Sequence, residues 1–151
     1  MAVKIIQGDL TNAKEDILGH QVNCQGVMGS GIARVIRTKY PEAYHAFIEK
    51  SKSTSNKKKL LGECHLIDGK GDKKIANLFG QFYYGKSSQL YTDYDALRKA
   101  LTTLKQKAAE AQLSVALPYN IGCGLANGDW NVVSNIIAEV FEDYEVTLYQ
   151  L

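Results

Sequence analysis

The chain lacks the features of membrane, secreted and disulfide-rich proteins. Its three cysteines, at positions 24, 64 and 123, are odd in number, widely spaced and without a Cys-x-x-Cys pair, so neither a disulfide framework nor a zinc site is expected. No apolar stretch approaches the roughly 20 residues that span a bilayer. The N-terminus carries no basic segment followed by an apolar one, as a signal peptide would. These absences predict a soluble, unprocessed cytoplasmic protein with no membrane partner.

Proline and net charge are also scarce. The 151 residues include two prolines, 13 glycines and a formal net charge of +2, an ordinary globular composition that fits one domain over residues 1–151. Duplex-binding surfaces usually carry a concentrated basic stripe, so this charge is too small to predict one. The one basic run, Lys57 to Lys59, follows a polar stretch and predicts a solvated loop, with a contact to a phosphate-bearing partner as the alternative.

Short apolar runs bounded by Gly, Asn or Asp predict six strands. They lie at residues 3–7, 17–22, 61–67, 74–79, 114–117 and 145–151. Apolar residues at helical spacing predict four helices between them: after Gly31, from Pro41, after Thr92 or Asp93 as N-cap, and after Asp129 as N-cap. Strands that alternate with helices predict an α/β protein, a three-layer α/β/α sandwich with a mixed, largely parallel central sheet.

A first candidate ligand loop follows the predicted strand 17–22. In such sheets, ligands bind beyond the carboxyl ends of the strands, where helix N-termini offer unpaired backbone N–H groups. Gly26, Gly29 and Gly31 in this loop leave the backbone open to a diphosphate. The spacing is not Gly-x-Gly-x-x-Gly and lacks the Lys-Ser/Thr ending of a P-loop, so the loop matches neither nucleotide-binding motif.

A second glycine-rich loop, residues 118–128, follows the predicted strand 114–117 and leads into the helix after Asp129. One such turn often needs glycine only for its backbone shape, but two in one small domain favour a phosphate ligand. We therefore predict a diphosphate between the two loops.

Together these motifs resemble the macrodomain family, whose members bind ADP-ribose. The resemblance rests on Gly8-Asp9-Leu10 after the first strand, Asn23 with Gly29-Ser30-Gly31-Ile32-Ala33, and Pro118 with Gly122-Cys123-Gly124-Leu125. It covers nearly the whole chain. Within the family the sequence most resembles the ADP-ribose-1″-phosphate phosphatases and the group that contains terminal ADP-ribose protein glycohydrolases and DNA-ADP-ribose-removing antitoxins.

The resemblance implies the ligand contacts. Asp9 accepts a hydrogen bond from the adenine amino group, with Gly8 and Leu10 beside it, and a turn cap is the alternative for Asp9. Asn23 holds the distal ribose, and a strand-end turn is the alternative. The two loops surround the diphosphate and the distal ribose through their backbones. Their implied contact residues are Gly29, Ser30, Gly31, Ile32, Ala33, Pro118, Asn120, Ile121, Gly122, Cys123, Gly124 and Leu125.

Catalysis by His20 and Asn23 is also implied, because the phosphatase-like branch has a histidine before the matching Asn-Cys pair. A neutral imidazole near the distal ribose can orient water or transfer a proton. The alternative is a hydrogen-bonded structural histidine within an apolar strand. No metal cluster is visible in the sequence, so we predict hydrolysis without a metal or cofactor.

The sequence departs from the glycohydrolase branch at two positions. In that branch a lysine after the strand that matches 74–79 attacks the anomeric carbon, and an acidic residue in the second loop assists. Gln81 and Ala126 occupy those positions here. Lys86 and Asp129 are candidate substitutes, with a solvated lysine and a helix N-cap as the alternatives. Cys123 is a candidate nucleophile at a helix start, with a small spacer residue as the alternative.

Three functions therefore stay open. The first is a hydrolase acting at the 1″ carbon, on ADP-ribose-1″-phosphate or on ADP-ribosylated protein or nucleic acid. The second is a non-catalytic module that binds ADP-ribose. The third is binding of another nucleotide or of RNA in the same crevice. We expect a monomer in each case.

Overall fold

Six strands form one sheet in the computed structural model, which describes residues 2–29 and 31–151. The strands are β1 (Val3–Gln7), β2 (Ile17–Val22), β3 (Cys64–Asp68), β4 (Lys74–Phe79), β5 (Val115–Pro118) and β6 (Val146–Gln150). Their order across the sheet is β1-β6-β5-β2-β4-β3. Every neighbouring pair is parallel except β3 with β4. The predicted mixed, largely parallel sheet is confirmed.

Helices cover both faces of the sheet. On one face, α1 (Gly31–Lys39) and α2 (Pro41–Ser53) pack through Ile36 and Ala43 onto Leu18. On the other face, α3 (Tyr94–Ala111) and α4 (Trp130–Val140) pack through Leu101 and Ile137 onto β2, β4, β5 and β6. Two short 3₁₀ helices, Leu10–Asn12 and Lys57–Leu60, lie in connections. The result is the predicted three-layer α/β/α sandwich.

The helix starts follow the predicted capping chemistry. Asp93 caps α3 by accepting a hydrogen bond from the N–H of Ala96 at 3.0 Å. Asp129 caps α4 by accepting one from the N–H of Asn131 at 2.9 Å. Pro41 is the first residue of α2, where its missing N–H costs nothing. Of the two residues predicted as the cap of α3, the structure therefore selects Asp93.

The basic run is solvated as predicted, with Lys58 and Lys59 exposed, but it has regular structure in place of a loop. Ser51 is buried in the last turns of α2, and Nζ of Lys57 donates a hydrogen bond to its carbonyl oxygen at 2.9 Å. Lys57 to Lys59 then form a 3₁₀ helix. The strand predicted to begin at residue 61 begins instead at Cys64, because the chain first turns at Gly62, whose φ is +91°.

The strand order determines how the segments that follow the parallel strands are arranged along the carboxyl edge of the sheet. The segment after β1, with Gly8 and Asp9, lies at one end. The loops after β5 and β2 occupy the middle, and the segment after β4 lies toward the other end. The 3₁₀ helix after β1 packs against α1 and β5, which brings that end close to the central loops. No helix within the two described ranges is long and apolar enough to cross a membrane.

Candidate functional site

A pocket of about 570 Å³ opens at the carboxyl edge of the sheet, where ligands of open α/β sheets bind. Its volume lies in the usual range for small-molecule sites. Three segments form its walls: the loop from β2 into α1, the loop after β5, and the segment after β4. The predicted ligand residues that line it are Asn23, Gly29, Gly31, Ile32, Ala33, Pro118, Asn120, Ile121, Gly122, Gly124 and Leu125.

Asn23 builds the first loop. Its Oδ1 accepts hydrogen bonds from the N–H groups of Gln25 at 2.9 Å and Val27 at 3.4 Å, and its Nδ2 donates to the carbonyl of Val27 at 2.8 Å. These contacts match the strand-end turn that was the alternative for this residue. Asn23 also lines the pocket, so its contact with a ribose stays a prediction.

The first loop ends at the N-terminus of α1. Gly31 opens the helix with a φ of +61°, a conformation that favours glycine. The first N–H groups of a helix have no intrahelical acceptor and carry a partial positive charge. Since Gly31, Ile32 and Ala33 all line the pocket, this helix start can hold an anion. Ser30, a predicted contact, lies outside the described residues.

The second loop is a series of tight turns. The N–H of Cys123 donates to Asn120, that of Asn127 to Gly124 and that of Gly128 to Gly122, all at 2.9 to 3.0 Å. Within residues 2–29 and 31–151, the N–H groups of Gly122, Gly124 and Leu125 meet no acceptor. Because these three residues line the pocket, their free donors suit phosphate oxygens.

The third wall is formed by the segment after β4. It contains Gln81, Tyr84, Gly85 and Lys86. Lys86 is the one charged side chain among the pocket-lining residues that the structure describes. From the sequence, Gln81 marks a departure from the glycohydrolase branch, and Lys86 is a candidate substitute for the lysine of that branch.

Gln21 was not predicted as a site residue, but it connects the walls of the pocket. Its Nε2 donates to Oε1 of Gln81 at 2.9 Å and to Oγ1 of Thr92 at 3.0 Å. Thr92 in turn donates to the carbonyl of Gly122 at 2.6 Å. This chain of hydrogen bonds ties β2 and the segment after β4 to the second loop. A glutamine within an apolar strand was the sequence feature that could have identified it.

His20 lies behind the pocket wall. It is fully buried, and its Nε2 lies 2.7 Å from Oδ1 of Asn77. Nδ2 of Asn77 in turn donates to the carbonyl of Ala43 in α2. Burial lowers the pKa of His20 to about 4, against a smaller upward effect of the Asn77 hydrogen bond. His20 does not line the pocket, because its ring is fully buried against Asn77 of β4. These contacts match the structural alternative, and a catalytic role for His20 stays a prediction.

The segment after β1 also lies outside the pocket wall. Oδ1 of Asp9 accepts hydrogen bonds from the N–H of Thr11 at 2.9 Å and from its hydroxyl at 2.8 Å, and these bonds lower the pKa of Asp9. Leu10 is buried against α1 and β5, so its side chain is not presented to a ligand. Asp9 therefore caps a turn, while its second oxygen meets no donor among the described residues. The adenine contact, with Gly8 nearby, stays a prediction.

Cys123 is not among the described residues that line the pocket. Its Sγ donates to the carbonyl of Ile121 at 3.4 Å. Burial, followed by the charge of Asp129, raises the pKa of Cys123 to about 11. The thiol is therefore protonated at neutral pH, which argues against the nucleophile hypothesis.

This fold and this two-loop pocket define an α/β/α protein with a phosphate-binding crevice at the carboxyl edge of its sheet. The model of the Macro domain family matches residues 20–137. The chain belongs to the Macro domain family, as its resemblance predicted.

Individual relatives agree with this assignment. The DNA ADP-ribosyl glycohydrolase of Mycobacterium tuberculosis is 30% identical over 150 residues, which cover 94% of this chain but 40% of that protein. The chain thus spans less than half the length of this relative. The ADP-ribose 1″-phosphate phosphatase of Debaryomyces hansenii is 27% identical over 177 residues, covering 97% of this chain and 98% of that protein. The solved macrodomain of Mycobacterium tuberculosis DarG superposes with a TM-score of 0.80 at 28% identity, covering 97% and 96% of the two chains.

Proposed function

We propose that this chain binds ADP-ribose derivatives in the pocket and hydrolyses the bond at the 1″ carbon of the distal ribose. The observation that carries the proposal is the pocket itself, which is lined by two glycine-rich loops that present unpaired N–H groups. A diphosphate matches this donor arrangement. The names of two relatives, an ADP-ribose 1″-phosphate phosphatase and a DNA ADP-ribosyl glycohydrolase, favour hydrolysis over binding alone.

The strand order supports one direction for the ligand. Asp9, the proposed adenine partner, follows β1 at one end of the carboxyl edge. The diphosphate then lies between the central loops after β5 and β2. The distal ribose and its 1″ substituent extend toward the segment after β4, which begins near Gln81.

In the proposed reaction, the pocket orients the substrate, and backbone N–H dipoles stabilise the charge that develops on it. Donors fixed in advance stabilise charge as it develops, and a held substrate reacts as if it were at high local concentration. Water supplies the attacking oxygen, and the departing group takes up a proton. Gln81 has no nucleophilic atom, so the proposal contains no covalent intermediate at that residue.

The two residues predicted to be catalytic take different roles in this proposal. Asn23 lies on the pocket wall and orients the distal ribose. His20 is fully buried behind the wall and supports the strand that carries Asn23. Hydrolysis without a metal or cofactor, a cytoplasmic location and a monomeric state remain predictions.

A direct assay tests the proposal. The protein is incubated separately with ADP-ribose-1″-phosphate, ADP-ribosylated protein and ADP-ribosylated DNA, and released ADP-ribose is quantified by chromatography. Release from any of the three supports hydrolysis at the 1″ carbon. Binding without release establishes the non-catalytic alternative instead, and absence of binding to all three contradicts the proposed function.

A further inference from the structure

We propose that Lys86 determines specificity by binding a phosphate group on the 1″ carbon, which makes ADP-ribose-1″-phosphate the preferred substrate. This inference rests on the proposed function and names the substrate of the same site. Its first observation is electrostatic: among the described residues of the pocket wall, Lys86 carries the one charged side chain. A lone cation in a pocket built from backbone donors is matched to an anionic part of the ligand.

The position of Lys86 along the pocket suits the 1″ substituent. It belongs to the segment that follows β4, a strand that lies beyond β5 and β2 in the order β1-β6-β5-β2-β4. If adenine lies near Asp9 and the diphosphate between the central loops, the group attached to the 1″ carbon reaches this segment. The diphosphate has its own donors in Gly122, Gly124 and Leu125. Lys86 is therefore left for a second anionic group.

The backbone around Lys86 is fixed although it has no regular secondary structure. Nδ2 of Asn127 donates to the carbonyl of Ser87 at 2.9 Å and to that of Gln89 at 2.7 Å. The hydroxyl groups of Ser87 and Tyr91 lie 2.7 Å apart. On the other side of Lys86, the Tyr91 hydroxyl packs so close to Gly85 that any Cβ there would overlap it. Both neighbours of Lys86 are thus held, and the Ser87 side is held by the second loop itself.

The charge of Lys86 is not neutralised by neighbours. It forms no ion pair or hydrogen bond with any residue in the described part of the chain. The segment 80–92 contains no Asp or Glu. The next acidic residue, Asp93, is occupied in capping α3, and Asp129 is occupied in capping α4. The ammonium group remains available to a ligand.

A phosphate monoester is the substituent that uses this cation best. It carries close to two negative charges at neutral pH, and lysine binds phosphate as a point charge without a fixed geometry. A neutral base or an amino acid side chain at the same position leaves the ammonium group without a partner. Lys86 therefore favours ADP-ribose-1″-phosphate over substrates with an uncharged 1″ substituent.

The test compares two ligands that differ by one phosphate. The affinity for ADP-ribose-1″-phosphate is compared with the Kd of ADP-ribose. For the phosphorylated ligand, KM is used if the protein hydrolyses it and Kd if it does not. Lys86→Ala is expected to weaken the phosphorylated ligand about tenfold or more and to change ADP-ribose less than about twofold. Lys86→Arg restores most of the difference. Lys70→Ala is the matched control, because Lys70 is an exposed lysine in the turn between β3 and β4, at the opposite edge of the sheet.

A pH series adds a second readout. The second ionisation of a phosphate monoester falls at a pKa of about 6, so preference for the phosphorylated ligand should rise between about pH 5.5 and 7 in the wild type. Lys86→Ala should flatten that rise. A purely structural role for Lys86 would leave the ligand ratio and its pH dependence unchanged.

Two outcomes overturn the inference. One is a Lys86→Ala variant that keeps the wild-type ratio of the two affinities, whether both stay unchanged or both fall equally. The other is a wild type that prefers ADP-ribosylated DNA or protein and handles it unchanged after Lys86→Ala. If the wild type binds ADP-ribose but shows either of these, only the inference fails. If it does not bind ADP-ribose at all, the proposed function fails first.

Discussion

Nε2 of Gln21 donates a hydrogen bond to Oε1 of Gln81 at 2.9 Å, and Nε2 of Gln81 donates to the carbonyl of Tyr83 at 2.8 Å. These two bonds fix the Gln81 amide, which the resemblance matches to the attacking lysine of the glycohydrolase branch. Thr92 forms a third contact with Gln21 at 3.0 Å. Gln81 is therefore part of the pocket framework, and its chemistry differs from that of a nucleophile.

Turnover should accordingly survive the loss of Gln81. Removal of a true nucleophile lowers kcat by roughly 10⁴-fold or more, whereas we expect Gln81→Ala to lower it by less than about tenfold, through a looser wall. Steady-state rates on ADP-ribose-1″-phosphate provide the measurement. Reduction with borohydride during turnover should add no mass to the wild-type protein. A covalent ADP-ribose adduct on any residue would contradict this account.

Asp9 offers a way to separate a cap from a ligand contact. Asp9→Ala removes the acceptor for Thr11, which should cost about 1 kcal/mol of stability, and it should also weaken ADP-ribose. Asp9→Asn keeps an acceptor oxygen for the cap but presents an amide N–H₂ to the adenine amino group. We therefore expect Asp9→Asn to keep the wild-type unfolding free energy and still lose affinity for ADP-ribose.

Ribose-5-phosphate is the control ligand for Asp9, because it lacks adenine. Its affinity should stay within about twofold of the wild-type value in Asp9→Asn, if the fold is unchanged. Equal losses for ADP-ribose and ribose-5-phosphate would refute the adenine assignment.

Gly124 gives the sharpest test of the diphosphate position. A Cβ on Gly124 would meet no atom within 4 Å, and the residue lines the pocket. Gly124→Glu should fold normally and place a carboxylate where the phosphates bind. Like charges in contact cost several kcal/mol, so affinity for ADP-ribose should fall by about 100-fold or more. Calorimetry measures the loss, and circular dichroism checks the fold.

The neutral variant Gly124→Gln has nearly the same bulk and isolates the charge. It should bind ADP-ribose clearly better than Gly124→Glu. If the two variants bind equally, the phosphates do not lie beside Gly124.

Much of the fold could be predicted because strand and helix patterns are local. Asp93, Asp129 and Pro41 mark helix starts by chemistry that operates within one turn. The two glycine loops were also predictable, since glycine-rich connections after strands are visible in the sequence.

The rest of the site depends on contacts between distant parts of the chain. Asn127 holds Ser87, and Gln21 holds Gln81, and no spacing rule connects either pair. The segment after β4 has no periodicity, so its return to the pocket was not predictable. For His20 the sequence identified the strand but not which face of it the side chain occupies.

Burial of His20 predicts that the free energy of unfolding depends on pH. Its pKa is lowered to about 4 in the folded protein, while an unfolded histidine has a pKa of about 6.5. Below about pH 6.5 the unfolded chain takes up a proton that the folded protein does not, so stability falls as pH decreases toward 4. We expect a loss of about 2 kcal/mol between about pH 7.5 and 5.

Urea unfolding at the two pH values measures this loss. His20→Gln can still donate to Asn77 but does not titrate, so its stability should change much less over the same range. If the unfolding free energies of the wild type and of His20→Gln changed equally with pH, His20 would not be buried as a neutral side chain.

The central claim is that the two glycine loops form one ADP-ribose site, and calorimetric titration of ADP-ribose, with AMP and ribose-5-phosphate as controls, tests it most directly. The account predicts one-to-one binding of ADP-ribose that is clearly tighter than binding of either fragment, because adenine, diphosphate and distal ribose contact one continuous crevice. No binding of ADP-ribose, or binding no tighter than that of AMP, would show that the loops are structural turns and would contradict the account.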